Sequence, residues 1–334
     1  MEDREYVLLE AVPNYWRGAQ YPKIKKILFR FIANTSTRIN QLRSGEVQVV
    51  ALIPWDKVRE LKDLPAIRLN RVLGNGYEHV TLNENRFPPF SDVRVRHALA
   101  YSVDRATIVN TILEGEVTIA NGPIQPLSWA YEPNVATYNY DPAKAKSLLE
   151  EAGWKVGAAG IREKDGKPLS FTLITQAGFA IRENVSQAIQ KQFKDVGVDM
   201  KVKLMDGTSI SGVWFAGDFD AMLHWWQLGA DPEMTLMFAS DRTPPAGRNI
   251  NYFRDADLTK LLYASDRTVD QAKRRDLLRE AQRRIADQAV EITLYNTSKI
   301  DAVPSTLVNF KGNPTNAGPF WNVHEWEISP AKKN

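Results

Sequence analysis

The chain has 334 residues, 43% of them apolar and 25% charged, and 43 basic against 40 acidic side chains leave a net charge of +3. That length supports two lobes with cores of their own, and so small an excess of interspersed charge excludes a large nucleic-acid or anionic-membrane footprint. The absence of cysteine removes disulfides, thiolate nucleophiles, iron–sulfur clusters and cysteine zinc sites together.

In chain order, Met1 to Glu5 lacks the basic and apolar segments of a secretory leader, which leaves a cytoplasmic protein or a mature or shortened chain. No apolar run reaches the roughly 18 to 20 residues of a membrane span. Tyr6 to Val12 predicts a strand, Asn14 to Gly18 a turn, and Ile24 to Ile32 a strand apolar on both faces and so expected to be buried on both. Asn34, Thr35 and Ser36 can cap a helix carrying Ile39 and Leu42 that ends at Gly45. Val47 to Leu52 then reads as a strand, Pro54 to Leu64 as a helix and Ile67 to Leu73 as a strand, the alternation of an α/β layer. On the strand predicted over Tyr77 to Asn83, Tyr77, His79 and Thr81 share one face, and Glu78, Val80 and Leu82 the other. That aromatic, ionisable and polar face is unusual for a sealed core.

A helix opens at Ser91 or Asp92, with Val95, Leu99, Ser102, Ala106, Val109 and Leu113 along one face, and Gly115 can end it. Asp141-Pro142 starts another with Leu148, Leu149 and Ala152 as its buried stripe before Gly153. Gly157 to Pro168 is a hairpin or loop. Leu169 to Gln176, Arg182 to Val196 and Val198 to Leu204 form a strand–helix–strand unit, as expected of a second lobe. Phe219 to Trp226 is an apolar strand, after which Asp231 before Pro232 predicts the start of a short helix. Helices over Asp255 to Ser265 and Val269 to Asp287 and strands over Glu291 to Asn296 and Lys299 to Val303 close the pattern, ahead of a glycine-, asparagine- and proline-rich tail. On the last helix Asp270 and Glu280 stand four residues before Arg274 and Arg284, so its basic side chains are read as a solvated face.

Hydrolase signals fail. Gly207-Thr208-Ser209-Ile210-Ser211-Gly212 lacks the second glycine of a nucleophile elbow, and Gly74-Asn75-Gly76 lacks the third glycine of a dinucleotide turn. The four histidines, 79, 97, 224 and 324, are unpaired at ligand spacing, so no metal site is expected. Asp218, Asp220, Asp231 and Glu233 could serve a hydrolase only if opposed across a cleft; otherwise Asp218 and Asp220 flank a strand and Glu233 favours a helix start. His224-Trp225-Trp226-Gln227, at the end of a strand, suits a ligand cleft. Alternation turns Trp225 and Trp226 opposite ways, so one is expected in the site and the other in the core.

Three blocks in order, Pro88 to Arg105, Gly122-Pro123-Ile124-Gln125-Pro126 and Tyr140 to Trp154, resemble the family 5 extracellular solute-binding proteins of ABC importers, the oligopeptide-, dipeptide- and nickel-binding type. Asn14-Tyr15-Trp16, Ser44-Gly45-Glu46-Val47, Asp231-Pro232 and the closing helices extend the resemblance along nearly the whole chain. It implies an α/β, two-lobe periplasmic-binding-protein-like fold of type II, the large peptide-binding type. In the family the Asn-Tyr-Trp turn follows about a third of the protein, so the chain is expected to be the C-terminal two-thirds, truncated at the N-terminus.

The resemblance further implies a ligand held between lobes joined by crossings near Tyr77 to Glu84 and Ile292 to Lys299. Residues 1–86 and 293–334 would be the partial first lobe and 87–292 the second. The protein would catalyse nothing, hold no cofactor, and act as a monomer that passes a small-molecule or peptide ligand to an ABC permease of the inner membrane, with no nucleic-acid partner. Its place would be periplasmic or at the cell surface. Peptide-binding relatives carry an acid shortly before Asp-Pro, whereas Gln227, Leu228, Gly229 and Ala230 are all non-acidic here. That points away from ordinary peptides unless Asp231 or a segment outside the chain supplies the anchor, and leaves carbohydrates, opines, metal chelates and other small polar solutes. Trp225, Trp226, Gln227, Asp231, Tyr77 and His79 are the expected ligand-binding residues. A hydrolase using the Asp218–Glu233 carboxylates and a chaperone-like interaction module are the alternatives.

Overall fold

Capping and strand pairing together set the elements. In the computed structural model, which describes residues 6–315 and 318–329, β1 (Tyr6–Glu10) pairs antiparallel with β2 (Lys26–Arg30). The opening residues Met1 to Glu5, read above for a leader, lie outside the described residues. α1 (Thr35–Ser44) begins where the Asn34 side chain accepts from the Thr37 N–H, and stops at Gly45 with φ 79°. β3 (Ile67–Leu82) is one strand where the sequence predicts two, because Gly74-Asn75-Gly76 stays extended. A Cβ on Gly76 would sit 2.9 Å from the Trp226 carbonyl oxygen, so glycine there permits close approach of two strands.

The single helix expected from Asp92 towards Gly115 is interrupted. α2 (Val93–Tyr101) is capped by Asp92, and the Asp104 carboxylate caps a fresh start at α3 (Arg105–Thr107), which runs into a π-helical turn over Ile108–Ile112. β4 (Thr118–Ile119) follows, then α4 (Pro142–Glu151), capped by Asp141. The glycine-rich segment folds as a three-stranded sheet of β5 (Lys155–Val156), β6 (Arg162–Lys164) and β7 (Lys167–Pro168). β8 (Ser170–Gln176), α5 (Ala180–Asp195) and β9 (Asp199–Met205) form a βαβ unit with the strands parallel. α6 (Gly207–Ala216) falls where the sequence predicts no helix, and β10 (Ala221–Gln227) follows it. The chain closes with α7 (Thr235–Phe238), α8 (Ala256–Asp266), α9 (Gln271–Asp287), β11 (Glu291–Pro304), β12 (Leu307–Val308) and β13 (Glu327–Ile328).

The chain forms two compact units, Met1–Gly74 with Ser298–Asn334, and Asn75–Thr297, and passes between them within β3 and β11. The first division falls at Gly74, beyond which Gly76 to Leu82 pair residue for residue with β10, and the second falls after Thr297.

In the unit containing α1, Ile39, Leu42, Val50, Ile53, Val58, Leu61, Ile300 and Ala302 form one core cluster. Three expectations change there. Val47 to Leu52 is not a strand: it touches β11 through a single bridge, Val50 to Ala302. The helix expected from Pro54 to Leu64 contracts to a 3₁₀ turn over Trp55–Glu60. β2 is exposed or half-buried throughout, because β1 is its one strand neighbour.

In the other unit a six-stranded sheet runs β4-β11-β3-β10-β8-β9. β10 pairs antiparallel with β3 and parallel with β8. Phe90 meets Phe171 edge to face beside it with centroids 5.0 Å apart, and Phe193 packs against Phe171 at 6.2 Å. The buried Arg96 of α2 is satisfied by Glu84 at 3.0 Å and by the carbonyls of Phe90 and Gln288 at 2.8 Å. Asp231 does not cap α7: the Glu233 carboxylate accepts from the Leu236 N–H at 2.9 Å. The α9 arginines pair across elements instead of along the helix, Arg274 with Asp231, Arg283 with Glu132 and Arg284 with Asp255.

Candidate functional site

β8 and β10 are parallel neighbours, and the open end of such a pair, past the strand C-termini, is where α/β sheets place ligands. A pocket of about 500 Å³ lies there, within 75–297. Gln176 ends β8 on its wall, while His224, Trp225 and Trp226 reach it from β10 and Ile210, Trp214 and Phe215 from α6. α6 is held at both ends: the Asp206 carboxylate accepts from the Thr208 and Ser209 N–H groups at 3.0 Å, and Gly217 terminates it at φ 66°. A Cβ on Gly217 would also collide with the Tyr252 hydroxyl. These constraints fix the turn that carries Trp214 and Phe215, whose rings meet edge to face at 4.4 Å.

The register with β3 sets Trp226 opposite Tyr77 and His224 opposite His79, so all four share one face of the sheet. Their rings, with that of Trp214, form a continuous chain of tilted and edge-to-face contacts. Tyr77 and His79 are 5.0 Å apart, His79 and His224 5.7 Å, His224 and Trp226 4.9 Å, and Trp226 and Trp214 5.9 Å. Trp225 and Glu78 lie on the other face, as alternation requires.

Behind Trp226 the rings meet a buried acid. His79 Nε2 is 3.5 Å from Glu291 and 3.1 Å from the Thr81 hydroxyl, and both His79 and Glu291 are sealed from solvent. Burial lifts the Glu291 carboxyl to about 8, with the Tyr77 hydroxyl opposing the rise. Burial first, and then His224 and Arg182, hold the His79 imidazolium well below its ordinary range; burial brings His224 down to about 3. Neutral rings and a neutral acid therefore support Trp226 at neutral pH.

The site has two cations. Arg182, on α5, is gripped by the buried Glu78 carboxylate at 2.8 and 3.1 Å. Arg248 lies over Trp226 with its guanidinium carbon 5.9 Å from the ring centroid.

Of the six residues expected from sequence, Trp225 and Trp226 both wall the pocket, one exposed and the other half-buried. Tyr77 and His79 are fully buried beneath Trp226. Gln227 donates to the Asn75 side chain, and Asp231 forms an exposed pair with Arg274 at 2.7 Å; neither is part of the pocket wall. Asp218 and Asp220 face Arg86 at 3.4 and 4.0 Å, and Asp220 also accepts from the Thr172 N–H. The residues that sequence reasoning missed are Trp214, Phe215, Arg182, Arg248 and Glu291. Asp206 and Gly217, a cap and a stop on either side of ten residues, carried the available signal for α6.

The mixed six-stranded sheet with its parallel βαβ unit makes this an α/β fold, and superposition puts it with the large peptide-binding type. Superposed on the structure of the oligopeptide-binding protein AppA from Bacillus subtilis in complex with a nonapeptide, the chain gives a TM-score of 0.82 at 27% identity, covering 99% of this chain and 65% of that one. The chain belongs to the bacterial extracellular solute-binding proteins, family 5: the family model described as "Bacterial extracellular solute-binding proteins, family 5 Middle" matches residues 1–246. It is 28% identical over 333 residues to oligopeptide-binding protein AppA of Bacillus subtilis (strain 168), covering 97% of this chain and 60% of that protein. To glutathione-binding protein GsiB of Escherichia coli (strain K12) it is 27% identical over 314 residues, covering 92% and 59%. The chain thus spans about three-fifths of the length of these relatives.

Proposed function

We propose that the chain belongs to the solute-binding component of an ABC importer, which captures a small polar solute or peptide and delivers it to a permease of the inner membrane. Asn75–Thr297 is its second lobe, and Met1–Gly74 with Ser298–Asn334 is part of the first. The observation that carries this reading is the pocket of about 500 Å³ walled by Trp214, Trp225 and Trp226, a volume and lining suited to a small molecule. Trp225 and Trp226 are the contact residues, and Tyr77 and His79 are positioning residues beneath Trp226. Gln227 and Asp231 hold the segment leading to α7.

The protein acts outside the cytoplasm, in the periplasm or at the cell surface, as a monomer and without catalysis. Among the described residues no helix is long and apolar enough to cross a membrane. A hydrolase reading finds little support, because Asp218, Asp220, Asp231 and Glu233 are each engaged by a cation or a backbone N–H. Native mass spectrometry of the full-length protein purified from its own host tests the proposal. One small molecule bound per chain supports it, and turnover of a solute by the purified protein contradicts it.

A further inference from the structure

The pocket wall is unbalanced in charge. Arg182 is matched by Glu78, and no residue walling the pocket is acidic. Arg248 is exposed, with its backbone N–H anchored on the Leu236 carbonyl at 2.7 Å, and it has no carboxylate partner among the described residues. Asp231, on the segment that follows Trp226, is held by Arg274. The Trp214 indole nitrogen, which can only donate, has no acceptor among the described residues. The same pocket wall carries two exposed apolar surfaces, Trp225 at 41% and Phe215 at 64%.

We propose that this pocket recognises an oxyanion: the solute sets a carboxylate or phosphate group on Arg248 and lays a flat apolar body across Trp225 and Phe215. An uncompensated guanidinium attracts an anion through charge-assisted hydrogen bonds and repels an ammonium group, so the sign of the solute's charge is selected before its shape is. The flat body follows from the indole and phenyl faces, which gain most from a stacked partner. This inference rests on the pocket being the solute site.

Calorimetric titration of the full-length protein with indole-3-acetate, indoxyl phosphate, indole-3-acetamide and tryptamine separates the possibilities. The two anions are expected to bind and tryptamine is not, and the tighter of the two anions identifies the head group. Arg248→Gln should weaken the anions tenfold or more while leaving the acetamide unchanged, and Arg248→Lys should restore part of the loss. Tryptamine binding as tightly as the anions, or an equal loss for the acetamide in Arg248→Gln, would overturn the assignment. Failure of all four probes also counts against it. If protein from its own host then releases no small molecule, the solute-binding reading falls with it. Release of a cationic or uncharged solute overturns the oxyanion assignment alone.

Discussion

Glu291→Gln should change how stability depends on pH. The Glu291 carboxyl is sealed beside His79 and lifted from 4.5 to about 8, so the folded state holds a proton that the unfolded chain has released. For an acid raised in this way, the stabilising contribution is fully present below 4.5 and is lost as pH rises through about 8. His79 has the opposite sign. Its folded value lies below 6.5, so its contribution grows as pH rises towards 6.5 and offsets that of Glu291 in that range. Between 6.5 and 8 the histidine is silent; Glu84, whose carboxyl burial raises to about 7, adds a smaller decline of the same sign at the lower end, and Glu291 carries the rest. Whether the pair's one proton sits on the acid or the ring does not alter this count. One and a half pH units at 1.36 kcal/mol each give a loss of about 2 kcal/mol. At roughly 2–4 °C per kcal/mol for a domain of this size, the melting temperature should fall by about 4–8 °C. Glu291→Gln keeps a neutral side chain of the same shape and cannot ionise. Its urea midpoint should therefore decline much less over this interval than that of the unsubstituted protein, the remainder coming from Glu84. Parallel declines in the two proteins would refute the buried, protonated acid.

Three further outcomes follow from the same geometry. Arg182→Ala strands the Glu78 carboxylate in the interior and should cost roughly 3–5 kcal/mol by urea unfolding, with part recovered when Glu78→Gln is added. Gly217→Ala forces a side chain into the left-handed region and against Tyr252, and should cost about 1–2 kcal/mol or more, with a shift in tryptophan emission as α6 moves Trp214. Asp231→Asn removes an exposed ion pair outside the pocket wall, and should change stability by less than about 1 kcal/mol while leaving solute affinity, read by calorimetry, where it was.

Local signals were readable in the sequence wherever a cap and a stripe agreed. Asn34 with Gly45 defined α1, Asp141 with Leu149 defined α4, and the run ending at Trp226 defined β10. α6 escaped because two glycines and several serine, threonine and β-branched residues are poor helix formers, and its helix depends on the cap at Asp206 and on packing against the sheet. The pairing of His79 with His224 and the approach of Glu291 to His79 are consequences of strand order and register, which no local pattern encodes. Arg248 lies in a proline- and glycine-bearing loop, where side-chain direction has no period to reveal it. The two tryptophans were legible as site candidates because two adjacent indoles at a strand end exceed what one buried face can take. The structure turns them to opposite faces while the pocket, placed at the strand end, reaches both.

If the pocket beside Trp225 and Trp226 holds the solute, removing one indole or the other should weaken binding. This is tested most directly by calorimetric titration of the full-length protein, Trp225→Ala and Trp226→Ala with the small molecule released from protein purified in its own host. One site per chain is expected, with a loss of tenfold or more in at least one variant and circular dichroism showing both still folded. Unchanged affinity in both variants would contradict it.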